Sequence, residues 1–331
     1  MNNIKLSFCI PTYNRRDLLS ELIESIVSQC DNRDDVEICI SDNASDDGTD
    51  IMVSSWGSKT NIPIVYRKNE ENLGPDINII ASPSFASGTY CWLVGSDDKL
   101  FDDAIEYIDK YLDESNDIYL VERTEFDYDM IEIKRADRRW MCTEERSYDL
   151  ADERQLLNYF SNSLSIGAIF SFMSSIIVKR SRWNEVIFDT KYIGCAYTHV
   201  YYILSIIKKG ATIQYINKPC IMCRGGNDSF VGSVVSRIEL DFNGYTRLAD
   251  GFYADNNELK SRFLNVLLHE RPFLFNSMIV SLYGTAEEKN RMKDYYLMLG
   301  QSEIIINIIY RVKPILKLVK YLKDKIKNLK K

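Results

Sequence analysis

Leu93-Val94-Gly95-Ser96-Asp97-Asp98-Lys99-Leu100 is the end of an apolar strand that runs directly into two carboxylates. Buried strands seldom finish by placing two adjacent negative charges at their tip. Three explanations are open: a solvated turn, a helix cap of the kind Asp102 and Asp103 could also provide, or half of a metal site. The surrounding sequence decides between them.

Upstream, strand and helix patterns alternate. LSFCIP (6–11) is a short apolar run that ends at a proline. Asn14 can cap the helix that follows, in which Leu18, Leu19, Leu22, Ile23, Ile26 and Val27 recur at helical spacing. VEICIS (36–41) predicts a second strand, DNASDDGT a turn-rich loop, and residues 50–56 a short helix. IVYR (64–67) predicts a third strand, ENLGPD breaks the chain, and residues 77–85 read as helix. YCWLV (90–94) delivers Ser96, Asp97 and Asp98, and a helix follows over 102–112, with Ala104, Ile105, Ile108 and Leu112 on one face. This βαβαβ order predicts an α/β fold with a mostly parallel, Rossmann-like sheet and flanking helices. Ligands of such sheets bind at the carboxyl ends of the strands, where PTYN, SDN and GSDD all fall. Further on, strands are expected at 118–122, 174–178 and 212–216, and helices at 153–160 and 197–209. Residues 123–150 read as a loop or hairpin, and 234–300 as a helical region.

Composition narrows the class. Of 331 residues, 45% are hydrophobic and 27% charged, which is ordinary for a globular protein. No apolar run reaches the roughly 18 residues of a membrane span, and the N-terminus lacks a signal-peptide pattern, so a cytoplasmic protein is expected. The eight cysteines lie mostly in apolar strands and read as small hydrophobes. Cys220 and Cys223 form a CxxC, but no second pair or nearby histidine completes a zinc site. The net charge of −7 conceals an asymmetry: from Arg311 onward there are nine Lys or Arg and one acid, Asp324. Ile315, Leu318, Val319, Leu322, Ile326 and Leu329 fall at helical spacing among those lysines. Residues 311–331 therefore read as a basic amphipathic helix for an anionic membrane surface, or as a solvated helix packing on a partner chain. Basic charge confined to one tail argues against nucleic acid. The turn after the first strand, PTYNRR, lacks the GxGxxG of a nicotinamide dehydrogenase.

Each acidic loop has a bland reading and a chemical one. Asp42 is either a turn residue or an acceptor for a nucleobase edge. Asp97 and Asp98 are either a cap or ligands to Mg²⁺ or Mn²⁺, which take one or two carboxylates and complete their shell with diphosphate oxygens and water.

CIPTYNR, ICISDNASDDGT, RKNEENLGPD and GTYCWLVGSDD, taken together and in this order, resemble the family 2 glycosyltransferases, which have the GT-A fold. The likeness is clear in motifs over residues 4–100 and holds in outline to 215. More narrowly, the chain looks like the abequosyltransferases of bacterial O-antigen synthesis, which move a 3,6-dideoxyhexose from a CDP-sugar to a mannose of a lipid-linked repeat unit. The resemblance implies a nucleotide-sugar-binding half over 1–112 and an acceptor-binding half over 113–222. A helical region over 223–310 and the basic tail follow. It implies a nucleotide-binding set of Pro11, Thr12, Tyr13, Arg15, Asp42, Asn72, Gly74, Asn78, Ser96, Asp97 and Arg224, with Asp98 as main metal ligand, Asp97 beside it, and Mn²⁺ or Mg²⁺ as cofactor. It also implies an undecaprenyl-diphosphate-linked oligosaccharide acceptor and a place at the inner face of the bacterial plasma membrane. Other UDP- or dTDP-sugar donors, and an inactive sugar-nucleotide-binding scaffold, are the alternatives.

Two departures from the family pattern stand out. Relatives carry Arg-Asn where this chain has Ile79-Ile80, which leaves Asn78 as the nearest polar group. Where the family's general base precedes a helix ending in Lys-Gly, this chain has Thr198 and His199. An inverting enzyme would use His199 as base; a retaining one, as an α-abequosyl linkage from an α-linked donor implies, would use it to bind metal or orient the acceptor. A packed helix-start histidine is the structural alternative. CRGGNDSF (223–230) reads as a mobile loop, or as a lid on which Arg224 meets the diphosphate.

Overall fold

A computed structural model describes residues 4–30, 32–113, 115–136, 139–227 and 232–313. The first compact unit ends at Asn227, and the second holds the C-terminal helices.

β1 (Leu6–Thr12) is buried at every position but Pro11. Such an apolar run is what a central parallel strand covered on both faces requires. α1 (Arg16–Cys30) buries Leu19, Leu22, Ile23, Ile26 and Cys30, one stripe of a 3.6-residue period. β2 (Val36–Asp42) is buried throughout. α2 (Thr49–Gly57), β3 (Ile64–Lys68) and α3 (Pro75–Ala81) follow. The helix expected over 77–85 is divided: α3 stops at Ala81, and Pro83 sits in a 3-10 turn over Ser82–Phe85. β4 (Tyr90–Leu93) leads through the Asp97-Asp98 turn into the two-residue β5 (Lys99–Leu100), then α4 (Ala104–Asp109).

β6 (Ile118–Phe126) and β7 (Ile133–Arg135) form an antiparallel hairpin within the segment expected to be loop or hairpin. β8 (Arg146–Asp149), α5 (Glu153–Asn162), β9 (Ile176–Lys179), α6 (Arg180–Asn184) and α7 (Thr198–Lys208) come next. β10 (Thr212–Arg224) runs well past the expected 212–216 and carries Cys220, Cys223 and Arg224. All eight cysteines are free thiols, and all but Cys142 are buried.

The strands build one sheet in the order β3-β2-β1-β4-β9-β6-β10-β5, with β7 on β6 and β8 on β10. β3, β2, β1 and β4 are mutually parallel. β9 enters antiparallel between β4 and β6, and β10 lies parallel to β6, so the second half is mixed. Register levels the strand ends: Thr12 pairs with Asp42, and Asp42 with Lys68. Lys99 pairs with Met222 and Leu100 with Ile221, so the Asp97-Asp98 turn is held between the end of β4 and the end of β10.

The helical unit comprises α8 (Val234–Phe252), α9 (Asn257–Glu270), α10 (Phe273–Tyr283), α11 (Ala286–Met298) and α12 (Glu303–Arg311). Side chains set its helix starts: Ser233 accepts from Ser236 N, Asn256 from Leu259 N, and Thr285 and Glu288 make a capping box. The tail beyond Lys313 lies outside the described residues.

One buried acid fastens the mixed half. Glu122 on β6 accepts from Trp140 N at 2.6 Å and from the Tyr215 hydroxyl on the same carboxylate oxygen. Burial pushes its pKa up to about 7, against the pull of those two donors and of Arg139 and Arg123. A carboxyl whose folded pKa lies above its unfolded value contributes stability that is present at low pH and lost as pH rises through the folded pKa. Glu122→Gln removes that dependence. Urea denaturation of the wild type should therefore lose on the order of 2 kcal/mol relative to the variant between pH 5 and pH 8. A constant difference across that range would contradict the assignment.

Candidate active site

The first two strand-end loops are locked to each other. Asn14, with φ of 49°, donates its N–H to Ser45 Oγ at 2.8 Å and accepts from Asp46 N at 2.9 Å. Asp42 is fully buried at the level of Thr12. Its Oδ1 accepts from Ser45 N at 2.9 Å and its Oδ2 from the Tyr66 hydroxyl. Carboxylate oxygens accept more than one bond, so acceptor capacity remains at the strand end. Pro11 is half-buried, Tyr13 exposed, and Thr12 Oγ1 buried without a protein partner.

The third loop hangs from the second. Asn43 Oδ1 accepts from Leu73 N at 2.9 Å, and its amide donates to Asn72 Oδ1 at 2.7 Å, which also accepts from Gly74 N. Gly74 adopts φ 82° and ψ 161°, a conformation open essentially to glycine alone, and a Cβ there would meet nothing within 4 Å. The dihedral by itself calls for glycine here. Asn78 is bonded within the sheet edge. Its amide donates to Thr12 O (3.2 Å) and Ser41 O (3.0 Å) and accepts from Ser41 Oγ (2.7 Å), so it ties the ends of β1 and β2 together.

The acidic turn is the most constrained part of the edge. Asp98 N donates to Gly95 O at 3.1 Å, closing the turn. Asp98 is buried; Oδ2 accepts from Ser174 Oγ at 2.6 Å and Oδ1 from Arg224 N at 3.2 Å. Ser174 Oγ in turn accepts from Gly95 N at 2.8 Å, and Trp92 Nε1 holds Ser174 O at 2.9 Å. A Cβ on Gly95 would come to 3.2 Å from an oxygen of both Asp97 and Asp98. Burial, then the negative charge of Asp97, pushes the pKa of Asp98 up to about 7, while Ser174, Arg224 N and Arg123 work the other way. Asp97 pairs with Arg15 at 2.9 Å and accepts from Asn227 Nδ2 at 2.7 Å. Ser96, just before Asp97, is buried.

In this structure Arg224 is engaged at the acidic turn. Its Nε donates to Asp97 O at 2.8 Å, its Nη1 to Tyr128 O, and its Nη2 pairs with Glu21 at 2.7 Å. The guanidinium is buried as a clamp on the acidic turn. His199 lies at the start of α7. It is 3% exposed, and Nε2 donates to Phe170 O at 3.0 Å. Burial pushes its pKa down to about 4, so the ring is neutral at pH 7 and a weak base there. The ring bonds to the Phe170 carbonyl rather than to Asp97 or Asp98.

The brought-together set is therefore Arg15, Asp97, Asp98 and Arg224, with Thr12, Asp42, Asn72 and Gly74 on the neighbouring strand ends. Sequence reasoning missed Ser174, Glu21, Tyr128, Asn227 and Arg123, the last sandwiched at 4.9 Å and 4.4 Å from the Trp140 and Phe172 rings. None has a local sequence signal, because each partner is remote along the chain. Among the described residues no three His, Cys, Asp or Glu side chains gather to hold a metal. A cation at Asp97 and Asp98 would draw its other ligands from substrate oxygens and water.

Residues 7–179 match the family model for glycosyl transferase family 2. The chain is 45% identical, over 92% of both proteins, to abequosyltransferase RfbV of Salmonella typhimurium. It is 32% identical to a poly(ribitol-phosphate) beta-glucosyltransferase of Bacillus spizizenii over 31% of this chain and 16% of that protein. Among solved structures it is similar in fold to S. aureus TarS 1–349 in complex with UDP-GlcNAc, with a TM-score of 0.62 at 18% identity, covering 96% of this chain and 88% of that one. The mannosyltransferase PcManGT of Pyrobaculum calidifontis, in complex with GDP-Man and Mn²⁺, gives a TM-score of 0.52 at 16% identity, covering 98% and 89%.

The clamp makes Arg224 a stability residue before any ligand binds. Arg224→Lys keeps the charge but cannot reach three separate acceptors. It should lower the unfolding free energy of the ligand-free protein by about 2 kcal/mol in urea. A mobile lid arginine would leave that value unchanged.

Proposed function

We propose that this chain, which belongs to glycosyltransferase family 2 and is a glycosyltransferase with the GT-A fold, transfers abequose from CDP-abequose to a mannose of a lipid-linked O-antigen repeat unit. One observation carries the choice of sugar: identity of 45% to an abequosyltransferase extends over 92% of the chain, through the acceptor half as well as the nucleotide half.

In this reading the nucleoside lies over the ends of β1 and β2, against Pro11, Thr12 and Tyr13, with Asp42 accepting from the cytosine amine. The orphaned Thr12 hydroxyl supplies a polar group there that the protein itself does not satisfy. The donor set at the acidic turn fits Mn²⁺ or Mg²⁺: Asp98 is a desolvated oxygen ligand whose charged form is disfavoured until a cation compensates it, and Asp97 stands beside it. Such an ion would supply Lewis-acid stabilisation of the leaving diphosphate. The chain's own residues do the rest. Ser174 and the Arg224 N–H aim the Asp98 carboxylate, and Arg15 brings a permanent positive charge to the turn where diphosphate charge must be held.

An α-linked product from an α-linked donor is net retention, which needs no in-line base opposite the leaving group. A neutral, buried His199 is compatible with that outcome and serves it by fixing the start of α7. The lipid-linked acceptor places the reaction at the inner face of the plasma membrane, where the basic residues of 311–331 would meet anionic lipid. Among the described residues no helix is long and apolar enough to cross a membrane.

The test is NMR of the product formed from CDP-abequose and a mannose-terminated lipid-linked acceptor. An α-abequosyl linkage formed in the presence of Mn²⁺ is expected, with Asp98→Asn reducing turnover by at least about a hundredfold. A β linkage, or faster transfer from a UDP- or dTDP-sugar, would overturn the assignment.

A further inference from the structure

We propose that the outward faces of α10 and α12 form a lipid-contacting surface that seats the helical unit in the headgroup–acyl boundary of an anionic bilayer. The inference rests on the membrane reading of the basic tail and adds a second, folded element to it.

α10 is inverted for a helix in water. Its polar residues Asn276, Ser277 and Ser281 are fully buried, while Leu274, Phe275 and Met278 are 53%, 64% and 37% exposed. Their spacing puts these three on one face, and Leu282, four residues past Met278, extends it. The orientation is held from inside: Ser281 Oγ donates to Ile309 O of α12 at 3.1 Å, and Ser277 Oγ to Leu274 O at 3.0 Å. Turning the apolar face inward would break the bond between the helices. No residue of α10 carries a charge. α12, bonded to it, exposes Ile304, Ile305 and Ile308. Single exposed apolar side chains are ordinary, but six on two bonded helices mark a surface with a partner.

Charge identifies the partner. The chain leaves α12 at Arg311 and enters the segment with nine Lys or Arg against one acid. Uncharged apolar faces continuous in sequence with a cluster of cations match the composition of an interfacial binding element on anionic lipid. The eleven residues of α10 measure about 16 Å, roughly half the hydrocarbon thickness, so the helix would lie along the surface rather than cross it.

The experiment uses the full chain and vesicles of phosphatidylglycerol with phosphatidylethanolamine. Phe275→Trp should show a blue shift on adding vesicles, and quenching by brominated acyl chains beyond that of the wild type. Leu274→Ser/Phe275→Ser/Met278→Ser, altered only at exposed positions, should partition roughly tenfold more weakly while its residual binding stays salt-sensitive. A chain ending at Lys313 should lose the salt dependence and keep the quenching of the tryptophan variant at high lipid. An unquenched Phe275→Trp, or a serine variant that binds as the wild type does, overturns the proposal. So does a wild-type dimer in sedimentation that the serine variant dissolves without loss of vesicle binding, since the face would then meet a second copy. The two membrane readings separate, because the tail is judged by salt dependence on truncation and α10 by quenching.

Discussion

A carboxylate taken out of water at the end of β4 is the constraint around which the rest of the first unit is arranged. Asp98 is buried beside a second acid, which disfavours its charge, and the fold answers with donors from three remote places. Ser174 comes from the turn before β9, Arg224 from the end of β10, and Arg15, through Asp97, from the loop after β1. Each depends on the sheet being built first. β1 must pair with β4 to bring Arg15, β9 must enter antiparallel beside β4 to bring Ser174, and β10 must run on past Ile216 to bring Arg224. Isolated acids on a loop would stay solvated and would bind a divalent cation weakly; the fold holds these two in fixed positions.

The parallel half of the sheet was legible in the sequence because its signals are local. Continuous apolar runs in β1 and β2, a helical stripe in α1 and turn-rich loops between them each stand within about fifteen residues. The loop motifs fell on one sheet edge for the same reason, since register follows from the βαβ order. The mixed half was harder to read. β9 has only four residues, β5 only two, and the length of β10 is set by pairing with β6 across a register shift at Pro219.

Least legible were the contacts of polar side chains whose partners are remote in sequence. Arg224 opens a Gly-rich stretch that suggests a loop, yet it is clamped by Glu21, some two hundred residues upstream. Asn78 lies next to Ile79-Ile80, where relatives carry Arg-Asn, and it bonds to the backbone of two strands. His199 occupies a base-like position on α7, but burial against Phe170 makes it a poor base. In each case the residue type suggested chemistry, while the partners of its buried donors and acceptors are visible only in the fold.

Membership of glycosyltransferase family 2 sets the reaction class, and the acidic turn is where this chain would meet the leaving diphosphate. That claim is tested most directly by calorimetric titration of CDP with and without Mn²⁺. Coupled binding is the expected result: Mn²⁺ tightens CDP and CDP tightens Mn²⁺ by the same factor, and Asp98→Asn abolishes the coupling while leaving metal-free CDP binding in place. CDP binding that is indifferent to Mn²⁺ in the wild type would contradict the account.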